Sequence, residues 1–115
     1  MPVKTESVKG LMVCYVSGEV DINQSPDIKR DFDKLISKKE PKIVIDLSKV
    51  TYVDSSGLAT LVEILKKMKQ YGGRMKLAGL SPKVKSLFEI TKLDKLFEIA
   101  LTEDEAILSF ANKTA

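Results

Sequence analysis

The sequence predicts an α/β fold, a small mixed β-sheet with helices packed on it. Three observations carry that expectation. Short apolar runs, "GLMVCYVSGEV", "KIVIDL" and "RMKLAGL", read as strands. Between them lie stretches whose apolar residues recur at helical spacing. Serine-proline pairs at 25–26 and 81–82 open two of those stretches, as an N-cap followed by a proline at the first helical position. Strands joined through helices run parallel, with right-handed crossovers.

Taken in order, Lys4 to Val8 is a short strand that turns at "VKG" into the run from Leu11. The next element is a helix in which Ser25 is the N-cap, Pro26 the first helical position and Asp27 an acid in the first turn. Its apolar face is Ile28, Phe32, Leu35 and Ile36. Pro41 precedes "KIVIDL", whose β-branched residues suit a central strand covered on both faces. A helix from about Ser55 to Tyr71 places Leu58, Leu61, Val62, Leu65 and Met68 toward the core and Glu63, Lys66, Lys67 and Gln70 toward water, with Gly72-Gly73 as its stop. "RMKLAGL" turns Met75 and Leu77 inward. A short helix then carries Val84, Leu87 and Phe88, a last strand lies near Phe97–Ala100, and a capping-box pattern from Thr102 to Glu105 opens a final helix with Ile107, Leu108 and Phe110. The element order is β-β-α-β-α-β-α-β-α.

Composition narrows the function classes. The 115 residues suit one domain, and 43% hydrophobic content argues against disorder. Nineteen basic residues are scattered among sixteen acidic ones, for a net charge of +3, with no basic stripe interleaved with aromatics. Direct nucleic-acid binding is therefore not expected. The lone Cys14 can form no internal disulfide and suits a reducing compartment. The opening "MPVKTESVKG" offers no signal-peptide core, and no stretch approaches a membrane span. A cytoplasmic protein without membrane contact is the expectation. Histidine is absent, which removes Ser-His-Asp and Cys-His catalysis and His-containing zinc sites.

The chemistry concentrates at "YVDSSGL", where a carboxylate and two hydroxyls sit at a helix start. Asp54 or Ser55 suits an N-cap. Gly57 is unfavourable for a first helical turn, and would be explained by another backbone or a partner approaching closely there. "GEVD" at 18–21 is a second Gly-acid turn at the end of a strand. A serine nucleophile is a remote alternative: "DSSGL" is not the G-x-S-x-G elbow, and no phosphate-loop motif exists. At 100° per residue Ser56 extrapolates to the wet face and Ser55 to the flank between Val62 and Lys66, so periodicity slightly favours Ser56 for exposure.

"GEVD", a cap-proline helix, a buried strand and then "YVDSSGLATLVEILKKMKQYGGRMKLAGLSPKVKSLFEITKLDKLFEI" together resemble the anti-sigma factor antagonists. These are single STAS domains of bacterial partner-switching systems, and the resemblance covers residues 4–110. It implies that the unphosphorylated chain binds an anti-sigma factor that is also a serine kinase, and so frees a sigma factor. Phosphorylation from ATP, at a serine that falls on Ser55, releases the antagonist, and a serine phosphatase restores it. It also implies a contact surface made of the "GEVD" loop with Gly18 and Asp21, the helix start at Ser25, and Asp54, Ser55, Ser56, Gly57 and Leu58. A monomer or weak dimer with no catalytic residues, no metal and no cofactor is expected. The alternative is a STAS interaction subunit of a stress-signalling, transporter or lipid-transport complex.

Overall fold

A computed structural model describes residues 3–111. Its elements are β1 (Val3–Val8), β2 (Leu11–Val20), α1 (Ser25–Ser37), β3 (Lys42–Val53), α2 (Ser55–Gln70), β4 (Arg74–Ala78), α3 (Pro82–Ile90), a 3-10 turn (Leu93–Lys95), β5 (Glu98–Ala100) and α4 (Glu103–Ala111). The strands form one five-stranded sheet in the order β1-β2-β3-β4-β5. β1 and β2 are an antiparallel hairpin; every later pairing is parallel. This is the mixed α/β sheet that the alternation of apolar runs and helical patterns predicts.

Period-two alternation on the central strands divides the core. Cys14, Val16, Ile43, Ile45, Leu47, Met75 and Leu77 face α1, α2 and α3, where Phe32, Leu61, Met68 and Phe88 complete the main core. Val13, Val44 and Ala78 face the other way and are covered by Ala106, Ile107 and Phe110 of α4. Both faces of β3 are thus covered, as its β-branched run requires. Along α2 the buried set is Gly57, Leu58, Thr60, Leu61, Ile64, Leu65 and Met68; Val62, expected on the core face, is half-buried at the margin, and Ile64 takes its place.

Two further details differ from the sequence reading. β3 does not end at Leu47 but continues to Val53. β2 stays alongside it through two register shifts, at Tyr15/Ser17 and Gly18/Glu19, and ends with Val20 opposite Val53. Gly18 takes φ +82 at the second shift, a conformation open to glycine. Ser25 is not the N-cap of α1. The cap position is Gln24, which makes no side-chain cap hydrogen bond; in the turn before it Asp21 Oδ1 accepts the amides of Asn23 and Gln24, both at 3.0 Å. The buried Ser25 lies inside the first turn and donates its hydroxyl to the Asp21 carbonyl at 2.8 Å. An Asx turn placed four residues upstream outcompetes the serine as the helix initiator.

Cys14 is fully buried, and burial, with the charge of Glu40 adding, pushes its thiol up to about 12. The thiolate is the nucleophile, so a thiol reagent at pH 8 should leave the folded chain unlabelled and react fully once urea unfolds it. Labelling of folded protein at the rate of a free thiol would show that this face of the sheet opens.

Helix α4 is latched at its first turn. Tyr15 donates its hydroxyl to Glu103 at 2.9 Å, and Asp46 lies buried nearby on β3. Burial, with the Asp46 carboxylate adding, holds the Glu103 carboxyl above its ordinary 4.5, while the Tyr15 hydrogen bond pulls the other way. A carboxyl raised by folding contributes stability that is fully present below its unfolded value and is lost as pH rises through the folded value. The stability advantage of wild type over Glu103→Gln should therefore shrink from pH 4.5 toward neutrality, measured by urea unfolding of both at each pH. An advantage that grows with pH would mean that the ionised carboxylate is the favoured partner.

Candidate functional site

The carboxyl ends of β2 and β3 and the start of α2 meet at one end of the sheet. Asp54 organises the junction. It caps α2 in an extended conformation, with Oδ1 accepting the Gly57 amide at 2.9 Å. Its Oδ2 accepts the amide of Ile22 at 3.1 Å, and its own amide donates to the Val20 carbonyl at 3.2 Å. One carboxylate thus ties the turn after β2 to the helix start.

The close approach anticipated at Gly57 is present. A Cβ added there would lie 2.2 Å from the Val20 carbonyl oxygen and 2.8 Å from Val20 Cγ1. The first turn of α2 is pressed against the end of β2, and only glycine fits between them.

The structure separates the expected contact residues by exposure. Ser55 is exposed at the first position of α2, while Ser56 is half-buried. This reverses the periodicity-based preference for Ser56. At a helix start the cap geometry, not the helical period, sets side-chain direction. Gly18 is exposed on β2 at its second register shift, and Asp21 and Asp54 are partly exposed. Ser25, Gly57 and Leu58 are buried. Ser25 is held by Asp21, Gly57 faces Val20, and Leu58 belongs to the main core. These residues underlie this surface and do not present it.

Three nearby residues were not singled out by sequence reasoning. Ile22 is 66% exposed beside the Asp54 carboxylate, and Tyr52 is 43% exposed at the end of β3. Lys83 of α3 borders, with Tyr52, Ser55 and Leu87, a cleft of about 390 Å³. An exposed isoleucine within the polar turn "DINQS" was the available signal for the first. The second lay in a segment read as a connector. Lys83 had none, because its approach to Ser55 is tertiary.

Among the described residues no group of three His, Cys, Asp or Glu side chains is placed to hold a metal, and no helix is long and apolar enough to cross a membrane.

The chain and its fold have known relatives. Residues 2–106 match the model of the STAS domain. An anti-sigma-B factor antagonist of Listeria monocytogenes is 36% identical over 79% of this chain and 80% of its own length. The chain belongs to the STAS-domain family of anti-sigma factor antagonists. Another relative, an anti-sigma-B factor antagonist of Bacillus subtilis, is 32% identical over 80% of this chain and 84% of its own. The crystal structure of an anti-sigma factor antagonist from Mycobacterium paratuberculosis superposes with a TM-score of 0.88 at 28% identity, over 96% of this chain and 93% of that one. The family is regulatory, and this STAS chain shares its fold.

Proposed function

We propose that the chain acts as a single domain over residues 4–110 that switches partners through Ser55. In the unphosphorylated form it binds an anti-sigma factor, and the sigma factor is freed. That anti-sigma factor is a serine kinase. It transfers the γ-phosphoryl group of ATP to Ser55 Oγ, with the hydroxyl proton lost and ADP leaving, and the phosphorylated chain is released. A serine phosphatase resets it. The chain works in the cytoplasm as a monomer or weak dimer, and has no catalytic turnover of its own.

The observation that carries this reading is the exposed Ser55 at a capped helix start, joined through Asp54 to the end of β2 and to the turn at 21–24. A kinase can reach its hydroxyl without unfolding the helix. The surface offered to the partner is Gly18, Asp21, Asp54, Ser55 and Ser56, with Ser25, Gly57 and Leu58 as its support.

The test is to incubate the chain with a kinase-type anti-sigma factor from the same genome and Mg-ATP, map the phosphate, and follow displacement of the sigma factor. Phosphate on Ser55 and displacement only by the unmodified chain are expected. Phosphate on Ser56 with Ser55 bare would overturn the site, and failure to displace any sigma factor would point to a different STAS assembly.

A further inference from the structure

Ser55, at the start of α2, and Lys83, in the first turn of α3, line the same cleft. Both are exposed. The cleft is also lined by Val53 and Val84, which are buried, and by the half-buried Leu87. Lys83 takes part in none of the ion pairs among the described residues, whereas Lys29 and Lys67 are held by Glu63 and Asp33. Asp54, the acid nearest to Ser55 in sequence, has its two oxygens turned to the amides of Gly57 and Ile22. Lys85, two residues along α3, borders a different cleft with Glu89 and Asp94.

We propose that Lys83 is the cationic partner of a phosphate on Ser55, holding it in the cleft between α2 and α3. This rests on the reading of Ser55 as the phosphoacceptor. A phosphate carries roughly −1.5 to −2 charges at neutral pH and three strong acceptor oxygens. A lysine ammonium on a flexible four-carbon stem can follow those oxygens across an open cleft, where a fixed guanidinium fork is not required. The apolar lining removes part of the competing water, so the pair sits between an exposed and a desolvated ion pair in strength. The consequence is regulatory. A pinned phosphate bridges two helices, is less open to a phosphatase, and prolongs the released state.

The clamp can be read without any kinase. Phosphoserine is incorporated at position 55 during translation, and its second ionisation is followed by ³¹P NMR. In the otherwise wild-type chain the phosphate should titrate about 0.5 pH unit below its titration in Lys83→Ala, the size expected of one rim ion pair. Lys83→Arg should keep the lower value, and Lys85→Ala should leave it unchanged. Phosphatase should remove the group faster from Lys83→Ala than from wild type. Coincident titrations for wild type and Lys83→Ala would overturn the clamp, and so would an equal effect of Lys85→Ala. The mutated side chains are exposed, so loss of fold does not stand in the way. A kinase that ignores Ser55 would overturn the phosphoacceptor reading and leave this titration standing, so the two failures are distinct.

Discussion

Phosphorylation of Ser55 should weaken binding to the anti-sigma factor about a hundredfold, with Ser55→Ala binding as tightly as the unmodified chain and escaping release. A hundredfold loss corresponds to about 2.7 kcal/mol. The modification adds roughly −1.5 to −2 charges to a surface that already carries Asp21 and Asp54. A docked partner must strip the remaining water from that charge, and desolvating an anion costs more than the roughly 0.3–1 kcal/mol by which a helix N-terminus favours it when exposed. Ser55→Asp should weaken binding less than phosphate does, because it brings one charge and fewer acceptor oxygens. The measurement is calorimetric titration of all four forms against the partner. Equal affinity for phosphorylated and unmodified protein would remove charge as the switch.

The same modification should leave the backbone nearly unmoved. Leu58, Leu61 and Leu65 anchor α2 in the main core, and none of them has to shift to admit a phosphate at an exposed first-turn position. The burial of such side chains is worth roughly 1.5–3 kcal/mol each, well above the scale of a charge at an exposed helix end. Amide shifts confined to residues near 53–59, residues 18–24 and the start of α3 are therefore the NMR signature of this switch.

The division between what was legible in the sequence and what was not follows the range of the interactions. Apolar periodicity is local, so the strand and helix order and most of the core faces of α1 and α2 could be read residue by residue. The Gly57 anomaly was legible as a question, since a glycine in a first helical turn needs a reason. Its answer, the Val20 carbonyl, lies 37 residues upstream and depends on β2 staying in register with β3 to its last residue. The N-cap at Ser25 was misread because Asp and Ser compete for the same role, and the choice depends on which turn the preceding strand delivers. The exposure of Ser55 over Ser56 was misread because a helical period was carried into a position where Asp54, not the helix, directs the chain. Lys83 reaches the site only through the packing of α3, which no local pattern records.

Gly57→Ala should destabilise the chain by about 1–2 kcal/mol and weaken partner binding with it, although alanine is the better helix former. Placed in an open helix, this substitution would gain up to roughly 1 kcal/mol from propensity. Here the new Cβ would stand 2.2 Å from the Val20 carbonyl oxygen and 3.1 Å from its carbonyl carbon. Both are backbone atoms at the end of a paired strand, so they cannot swing aside as a side-chain terminus could. Relief requires α2 to move away from β2 by about an ångström, and overpacking of this kind typically costs about 1–3 kcal/mol. That movement also stretches the Asp54 amide bond to the Val20 carbonyl and the Ile22 amide bond to Asp54, already at 3.2 and 3.1 Å. The penalty exceeds the propensity gain, which fixes the sign. The end of β2 and the turn carrying Asp21 are displaced from Ser55 in the same step, so affinity for the anti-sigma factor should fall even for the fraction that remains folded. Urea unfolding reads the first effect, and titration under conditions where both proteins are fully folded reads the second. Ala59→Gly on the exposed face of α2 is the control: it carries the propensity cost of glycine without touching the junction, and should lower stability while leaving binding intact. A Gly57→Ala chain as stable as wild type would show that the helix start and the strand end are not held together as the structure has them.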